Sequence, residues 1–356
     1  MQLSADEHFS PKQTPKKNDW KLLAGDFALD PQKCVDIKKL TDVKPLSEGS
    51  FGMVTQAKFM SVPVAVKQLH SEESKLEFAH EYWIHSALSH PCIIPILAHT
   101  EEPLGIVLKL APHGSLYDHL SDLTRDMPKS LMLTIAKNLA SAVHYLHSRE
   151  PKIVHRDIKS LNCLLISLNP SSICAQLADF GTARVVSTKC GGRNAELLNP
   201  SWLAPEVLKN GQFDESADIY ALGMVVWEMM ERRLPFSSYE VSRSRFLRDF
   251  EDQILKGLRP KIPHNYEDAT LADIVCSCWE SQPHLRPSAK ELVSLFTFLV
   301  RNETRKKSSE GALEVKEPQS AKEEEEDAII LLKEIREQQL AEDFELDELE
   351  TIEEEF

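Results

Sequence analysis

The stretch Ile153-Val154-His155-Arg156-Asp157-Ile158-Lys159-Ser160-Leu161-Asn162, with Asp179-Phe180-Gly181 a short way downstream, constrains this chain more than any other feature. It sets one carboxylate (Asp157), one cation two residues on (Lys159) and one amide (Asn162) between an apolar run and a strand-like segment. Asp157 can accept a proton, and Lys159 can neutralise a phosphate. Asn162 and Asp179 offer hard oxygen ligands of the kind that suit magnesium, an ion usually held by one or two carboxylates plus substrate phosphates. Groups of these types at this spacing point to phosphoryl transfer.

A second constrained segment lies upstream, Leu46-Ser47-Glu48-Gly49-Ser50-Phe51-Gly52, with Val54 just beyond it. Glycines let a backbone turn sharply and bring its N–H groups close to phosphates. Residues 54–58 and 62–67 alternate as strands do, whereas a dinucleotide fold would enter a helix after the glycines. Val64-Ala65-Val66-Lys67 closes the second strand with a lysine in an apolar setting. A strand-end lysine ordinarily extends its amine to water. Ser71-Glu72-Glu73 reads as a helix start, a capping residue followed by acids in the first turn. Leu76, Trp83, Ile84, Ala87 and Leu88 read as the buried face of that helix. Glu77 and Glu81 lie one turn apart on it, and either can pair with Lys67.

Taken in order, these segments resemble the catalytic core of eukaryotic protein kinases. Trp202-Leu203-Ala204-Pro205-Glu206, Ser216-Ala217-Asp218 and Leu285-Arg286-Pro287 extend the likeness. It covers roughly residues 41–300 and implies an α+β, bilobal fold. A small N-lobe, mainly antiparallel sheet with one helix, would span 41–111, and a larger, mainly helical C-lobe 112–300. The resemblance implies ATP and Mg2+ as cofactors and protein substrates as partners. It places Leu46 to Val54 and Ala65 around the nucleotide and makes Lys67 the clamp on its α and β phosphates. Counting back from His90-Pro91 favours Glu81 over Glu77 as the partner of that lysine. Leu108 becomes the residue controlling the back pocket, the backbone of Lys109 to Ala111 the hinge that holds adenine, and Leu164 part of the pocket floor. Asp157 is implied as the base for the substrate hydroxyl, Lys159 as the γ-phosphate contact, and Asn162 and Asp179 as metal ligands. Asp218 is implied to anchor the catalytic-loop backbone, and Arg286 to pair with Glu206.

Lysine at position 159 resembles serine/threonine kinases, whereas tyrosine kinases usually place an arginine in a rearranged loop. Serine and threonine hydroxyls are therefore the expected acceptors. The alternatives are a dual-specificity or tyrosine kinase, which Lys159 argues against, and a pseudokinase-like scaffold. The scaffold usually lacks one of the groups that Lys67, Asp157 and Asp179 supply here. The loop at 167–172, the run 174–181 and the run 258–263 resemble the tyrosine-kinase-like group, with features of its Roco and mixed-lineage branches. Three positions depart from the family pattern: Ser47 replaces its first glycine, His85 stands where an apolar residue is usual, and Asn199 where threonine is common. His85 is expected to be partly exposed. Ser187 and Thr188, in the activation segment 182–206, are candidate phosphorylation sites.

Charge is unevenly distributed and concentrates at the C-terminal end of the sequence. Residues 301–356 hold 20 acidic and 8 basic residues, which accounts for −12 of the net −15. The remainder carries no broad basic surface, which disfavours nucleic acid as a partner. No apolar run of membrane-spanning length and no secretory leader is evident, and seven cysteines without a C-x-x-C pair suit a reducing compartment. The cytoplasm, or the nucleus, is the expected location. Residues 1–40 read as an N-terminal extension. In the acidic tail, Ile329, Ile330, Leu332, Ile335 and Leu340 recur at helical spacing, so 327–345 is a candidate helix that docks on a partner or on the chain itself.

Overall fold

A computed structural model describes residues 33–49, 52–69, 75–186, 190–191, 200–210, 212–237, 246–262, 269–309, 328 and 330–335. Ser50, Phe51, the helix start at 71–73, Ser187, Thr188 and Asn199 lie outside the described residues. The chain divides into two compact units, Met1–Ser86 with Ile96–Lys109, and Ala87–Pro95 with Leu110–Phe356.

The first unit is the expected antiparallel sheet with one helix. It contains β1 (Thr41–Gly49), β2 (Gly52–Phe59), β3 (Val62–Leu69), α1 (Lys75–Ser86), β4 (Ile96–Glu101) and β5 (Leu104–Lys109). The strand order is β1-β2-β3-β5-β4 with every neighbouring pair antiparallel. Strand residues alternate between faces, and the two faces of β3 have different neighbours. Val64 and Val66 join Ala57, Ala98 and Val107 in a core that Val35 and Leu40 complete, so the segment entering β1 covers that face. Ala65 and Lys67 point the other way. On that opposite face Ile106, the cross-strand partner of Lys67, packs with Phe78 and Tyr82 of α1.

Two expectations for α1 are corrected. Trp83 is 47% exposed and Ala87 lies beyond the helix and is exposed, whereas Phe78, Glu81, Tyr82 and Ile84 are buried. His85, expected to be partly exposed, is only 2% exposed. Its position follows from the helical repeat, because residues four apart lie on the same face. Glu81 and His85 therefore turn inward together, and Trp83 turns to solvent.

The second unit begins the chain again at α2 (Leu116–Ser121) and α3 (Lys129–His147). Short strands follow: β6 (Lys152–Val154), β7 (Cys163–Ser167), β8 (Cys174–Leu177), β9 (Arg184–Val186) and β10 (Cys190–Gly191). Then come α4 (Pro205–Asn210), β11 (Gln212–Phe213), α5 (Glu215–Glu231), α6 (Phe246–Leu255), α7 (Ala269–Cys278) and α8 (Ala289–Ser309). Three two-stranded sheets, β6-β9, β7-β8 and β10-β11, sit among the helices. Residues 87–95 belong to this unit because their backbone is tied to β8. Ile94 N–H donates to the Leu177 carbonyl at 3.0 Å and Leu177 N–H to the Cys92 carbonyl at 2.8 Å.

Helix α5 is the structural centre of the second unit. Every residue from Ala217 to Met229 is buried, the pattern of a helix surrounded by protein on all sides. Its approach to α7 requires Gly223, where an added Cβ would stand 2.6 Å from the Cβ of Cys278. Asp214 caps the first turn by accepting from Ser216 N–H at 3.0 Å. Arg232 ends the helix in the left-handed conformation, and its guanidinium donates to the carbonyls of His119, Asp122 and Arg125.

The last long helix exceeds the expected boundary near Val300, since α8 continues to Ser309. The extra turns are polar but rich in good helix formers. Arg305 and Lys306 lie where positive charge complements the helix dipole. Farther on, residues 330–335 are helical, with Ala328, Leu332 and Ile335 buried and Ile330 exposed. Ile329 and Leu340 fall outside the described residues.

Candidate active site

In the first unit the predicted residues collect on the sheet face that carries Lys67. Val54 is the cross-strand partner of Lys67 on β2, and Leu108 that of Ala65 on β5. Directly paired residues share a face, so Val54, Ala65, Lys67 and Leu108 point the same way. Lys67 Nζ donates to both carboxylate oxygens of Glu81 at 2.8 Å. Both side chains are largely covered, which makes the pair one of charge-assisted bonds at reduced dielectric rather than a surface contact. Glu77 is exposed. Leu46 and Ser47 lie exposed on β1, where Ser47 is opposite Val54, and Gly49 faces Gly52 where the two strands end. Glu48 is opposite Met53. Lys109 closes β5, and Ala111 follows it, accepting from Gly114 N–H at 3.2 Å.

In the second unit the segment after β6 gathers the polar groups. Lys159 Nζ donates to both oxygens of the Asp157 carboxylate at 2.9 and 2.6 Å. The Asn162 amide nitrogen donates to the Asp157 backbone carbonyl at 2.8 Å and to Asp157 Oδ2 at 3.0 Å. Two side chains, Lys159 and Asn162, therefore share the Asp157 carboxylate. Burial lifts the Asp157 carboxyl above the ordinary range, against the opposing pull of Lys159. Leu164 follows on β7, paired with Gln176.

This loop is held by α5. Asp218, completely buried, accepts from His155 N–H at 2.8 Å and from Arg156 N–H at 2.9 Å. Arg156 has φ +73°, a left-handed conformation that disfavours a long side chain, so the bond to its N–H offsets local strain. His147 Nε2 lies 2.9 Å from Asp218 Oδ2. Burial alone would raise the Asp218 carboxyl, but the hydrogen bonds and charge of His147, with the charge of His155, hold it below the ordinary value.

A carboxyl lowered in the folded state contributes stability that is present above its unfolded pKa of about 3.9 and lost as pH falls through the folded value. Acid titration of unfolding free energy below about pH 4 should thus be less steep in Asp218→Asn than in the parent chain. Equal slopes would exclude Asp218 as a source of the acid sensitivity.

The segment at Asp179 continues the same construction. Asp179 also adopts a left-handed backbone, with φ +65°. Next to it Phe180 is fully buried and meets the His155 ring edge-to-face at 4.9 Å between centroids. His155 Nε2 lies 3.1 Å from the Ala178 carbonyl, and Thr182 Oγ1 donates to the His155 carbonyl at 3.0 Å. His155 thereby joins the catalytic-loop segment to the residues flanking Asp179.

One buried acid escaped the sequence reading. Glu228, ten residues after Asp218 on α5, accepts from Ser160 Oγ at 2.7 Å and from Trp202 Nε1 at 2.8 Å. Burial pushes its carboxyl up to about 7. It joins the loop carrying Asp157 to the segment that precedes α4, and in sequence it is one polar letter in an otherwise apolar run. Glu206 and Arg286, by contrast, form the expected bidentate pair at 2.7 and 2.8 Å.

A sheet lysine paired with a glutamate of the adjoining helix, and an aspartate loop suspended from a buried helix, are features of the protein kinase fold. Comparison with known proteins agrees. The family described as protein tyrosine and serine/threonine kinase matches residues 40–296, and the chain belongs to that family. A probable serine/threonine-protein kinase, roco5 of Dictyostelium discoideum, is 35% identical over 270 residues, covering 73% of this chain and 10% of that protein. The probable serine/threonine-protein kinase roco8 of the same organism is 36% identical over 222 residues, covering 61% of this chain and 12% of its own length. Mitogen-activated protein kinase kinase kinase 7 of Bos taurus is 29% identical over 270 residues, or 75% of this chain and 45% of that protein. These relatives accord with the tyrosine-kinase-like resemblance. The chain spans only about a tenth of the Roco relatives it matches.

Proposed function

We propose that this chain is a serine/threonine protein kinase that transfers the γ-phosphate of ATP to hydroxyls of protein substrates in signalling. The observation that carries the reading is Asp157 held by Lys159 and Asn162 on a loop fixed by Asp218. Membership of the kinase family supplies ATP and a divalent cation as the reagents. Magnesium is our choice of ion. The Asn162 amide nitrogen is committed to Asp157, which leaves its oxygen for a hard cation, and Asp179 adds a carboxylate of the same character. That donor set fits a small oxygen-seeking ion, which would neutralise phosphate charge.

The remaining roles follow from the resemblance. Asp157 takes the proton of the substrate hydroxyl, and Lys159 moves to the transferring phosphate. Lys67, oriented by Glu81, neutralises the α and β phosphates. Residues 46–54, Ala65, Leu108, the backbone of 109–111 and Leu164 surround the base and sugar. Positioning and charge neutralisation do most of the work in such transfers. The test is magnesium-dependent transfer from labelled ATP to the chain itself and to a generic basic protein, followed by phosphoamino-acid analysis. Label on serine or threonine is expected. Label on tyrosine would reassign the specificity, and bound ATP without any transfer would make the chain a scaffold.

We place the protein in the cytoplasm. Cys34, Cys92, Cys163, Cys174, Cys276 and Cys278 are free, which suits a reducing compartment, and among the described residues no helix is long and apolar enough to cross a membrane. Recovery with membranes or in the medium would contradict that placement. We also assign the tail helix to the chain itself rather than to a partner, since Ala328, Leu332 and Ile335 are already buried in the isolated chain. Amide hydrogen exchange at 330–335 should be slowed in dilute protein, and exchange at the rate of an unstructured peptide would overturn the assignment.

A further inference from the structure

The segment that enters β1 meets β4 through an unusual set of side chains. Cys34 forms a parallel bridge with His99, fixed by Val35 N–H donating to the His99 carbonyl at 2.8 Å. His99 and Glu101 are two apart on β4 and therefore share a face. The thiol sulfur of Cys34, a ring nitrogen of His99 and a carboxylate oxygen of Glu101 all lie within 4.8 Å of one another. His99 is fully buried, while Cys34 and Glu101 are exposed.

We propose that Cys34, His99 and Glu101 form a zinc site that staples the segment entering β1 to β4. The donor types select the ion. One sulfur, one imidazole and one carboxylate suit zinc, whereas magnesium and calcium prefer all-oxygen sets. Around tetrahedral zinc, with bonds of about 2.0–2.3 Å, such ligand atoms stand roughly 3.4–3.6 Å apart. Rotation of the two exposed side chains, Cys34 and Glu101, closes the difference, and the buried imidazole stays fixed. Three protein ligands leave the fourth position open to water or to a further ligand.

The surroundings of His99 fit a metal ligand. Tyr82 Oη lies 3.4 Å from Nδ1, and its ring meets the imidazole edge-on at 5.5 Å between centroids. A ligand histidine characteristically has its second nitrogen oriented by such a neighbour. Metal binding releases the Cys34 thiol proton. Tyr82 also adjoins Glu81 on α1, so the staple would join the chain's entry to the helix that holds the partner of Lys67.

The test is independent of kinase activity. The purified full chain is titrated with Zn2+ against a chromophoric chelator, beside Cys34→Ser and Glu101→Gln, whose exposed positions should leave folding intact. The parent chain should bind one more equivalent than Cys34→Ser, or the same equivalent at least tenfold more tightly, with Glu101→Gln weakened tenfold or more. Zn2+ should raise the unfolding midpoint of the parent and not of Cys34→Ser. With Co2+ as probe, a thiolate-to-metal absorption band should appear in the parent and vanish in Cys34→Ser. Equal stoichiometry and affinity in the parent and Cys34→Ser, or a Co2+ spectrum that does not depend on Cys34, would overturn the proposal.

Discussion

Replacing Asp157 by Asn lowers phosphoryl transfer to serine and threonine by ~10²–10⁴-fold, the range that a positioned general base contributes. The substitution keeps the shape of the side chain and removes the ability to take a proton. ATP binding should survive, because Lys67 and its partner Glu81 belong to a different unit from Asp157. The loop should survive too, since its backbone hangs from Asp218 rather than from the Asp157 side chain. The pH profile supplies a second readout. A base works only when ionised, and burial lifts the Asp157 carboxyl above the ordinary range. The parent rate should therefore fall as pH drops through that raised value, and this acid limb should be missing from the residual activity of Asp157→Asn. The measurement is initial-rate transfer against pH for both proteins, with nucleotide affinity measured separately. Activity retained above about a tenth of the parent would remove Asp157 from the role of base.

The parts of this site that were legible in the sequence sit in segments that resemble the protein kinase core. Spacing on the helix left Glu77 and Glu81 both open to Lys67, the kinase resemblance favoured Glu81, and that pair is present. Asp218 was likewise matched to the catalytic loop by the resemblance, and it accepts from two backbone N–H groups of that loop. Contacts that depend on packing between distant segments left no such trace. Glu228 meets Ser160 and Trp202 only once α5 is in place, and an isolated glutamate in a sequence is ordinarily a solvated charge. Trp83 and His85 take the opposite of their expected environments, while Ile84 and Leu88 are buried as their helical spacing implied. Burial on α1 is decided by which side faces Ile106 of β5, so the smaller polar ring goes in and the larger indole stays out. Likewise, nothing in the spacing of Cys34, His99 and Glu101 foretells their meeting. Sixty-odd residues separate the first from the others, and the sheet alone brings them together.

Glu206→Ala should destabilise the second unit by about 3–5 kcal/mol, the usual cost of removing one partner from a buried ion pair. The reason lies with Arg286, whose side chain is fully buried. Its guanidinium donates to Glu206 through two nitrogens and also to the carbonyls of Glu280 and Ser216, and it lies over the Tyr220 ring at 5.1 Å. Without Glu206 the cation keeps its carbonyl bonds but loses the charge that offsets its desolvation. Arg286→Leu alone should also destabilise, by stranding the carboxylate and the carbonyls. Removing both charges together, in Glu206→Leu/Arg286→Leu, should cost clearly less than the two single changes added, because neither ion is then left uncompensated. Chemical unfolding followed through Trp202 and Trp279 fluorescence, both within the second unit, gives the four stabilities needed for the cycle. Additive costs would show that the pair is not coupled. A large coupling together with near-normal initial rates in the folded fraction would assign Glu206 and Arg286 to holding the unit together, leaving the chemistry to the loop beneath Asp218.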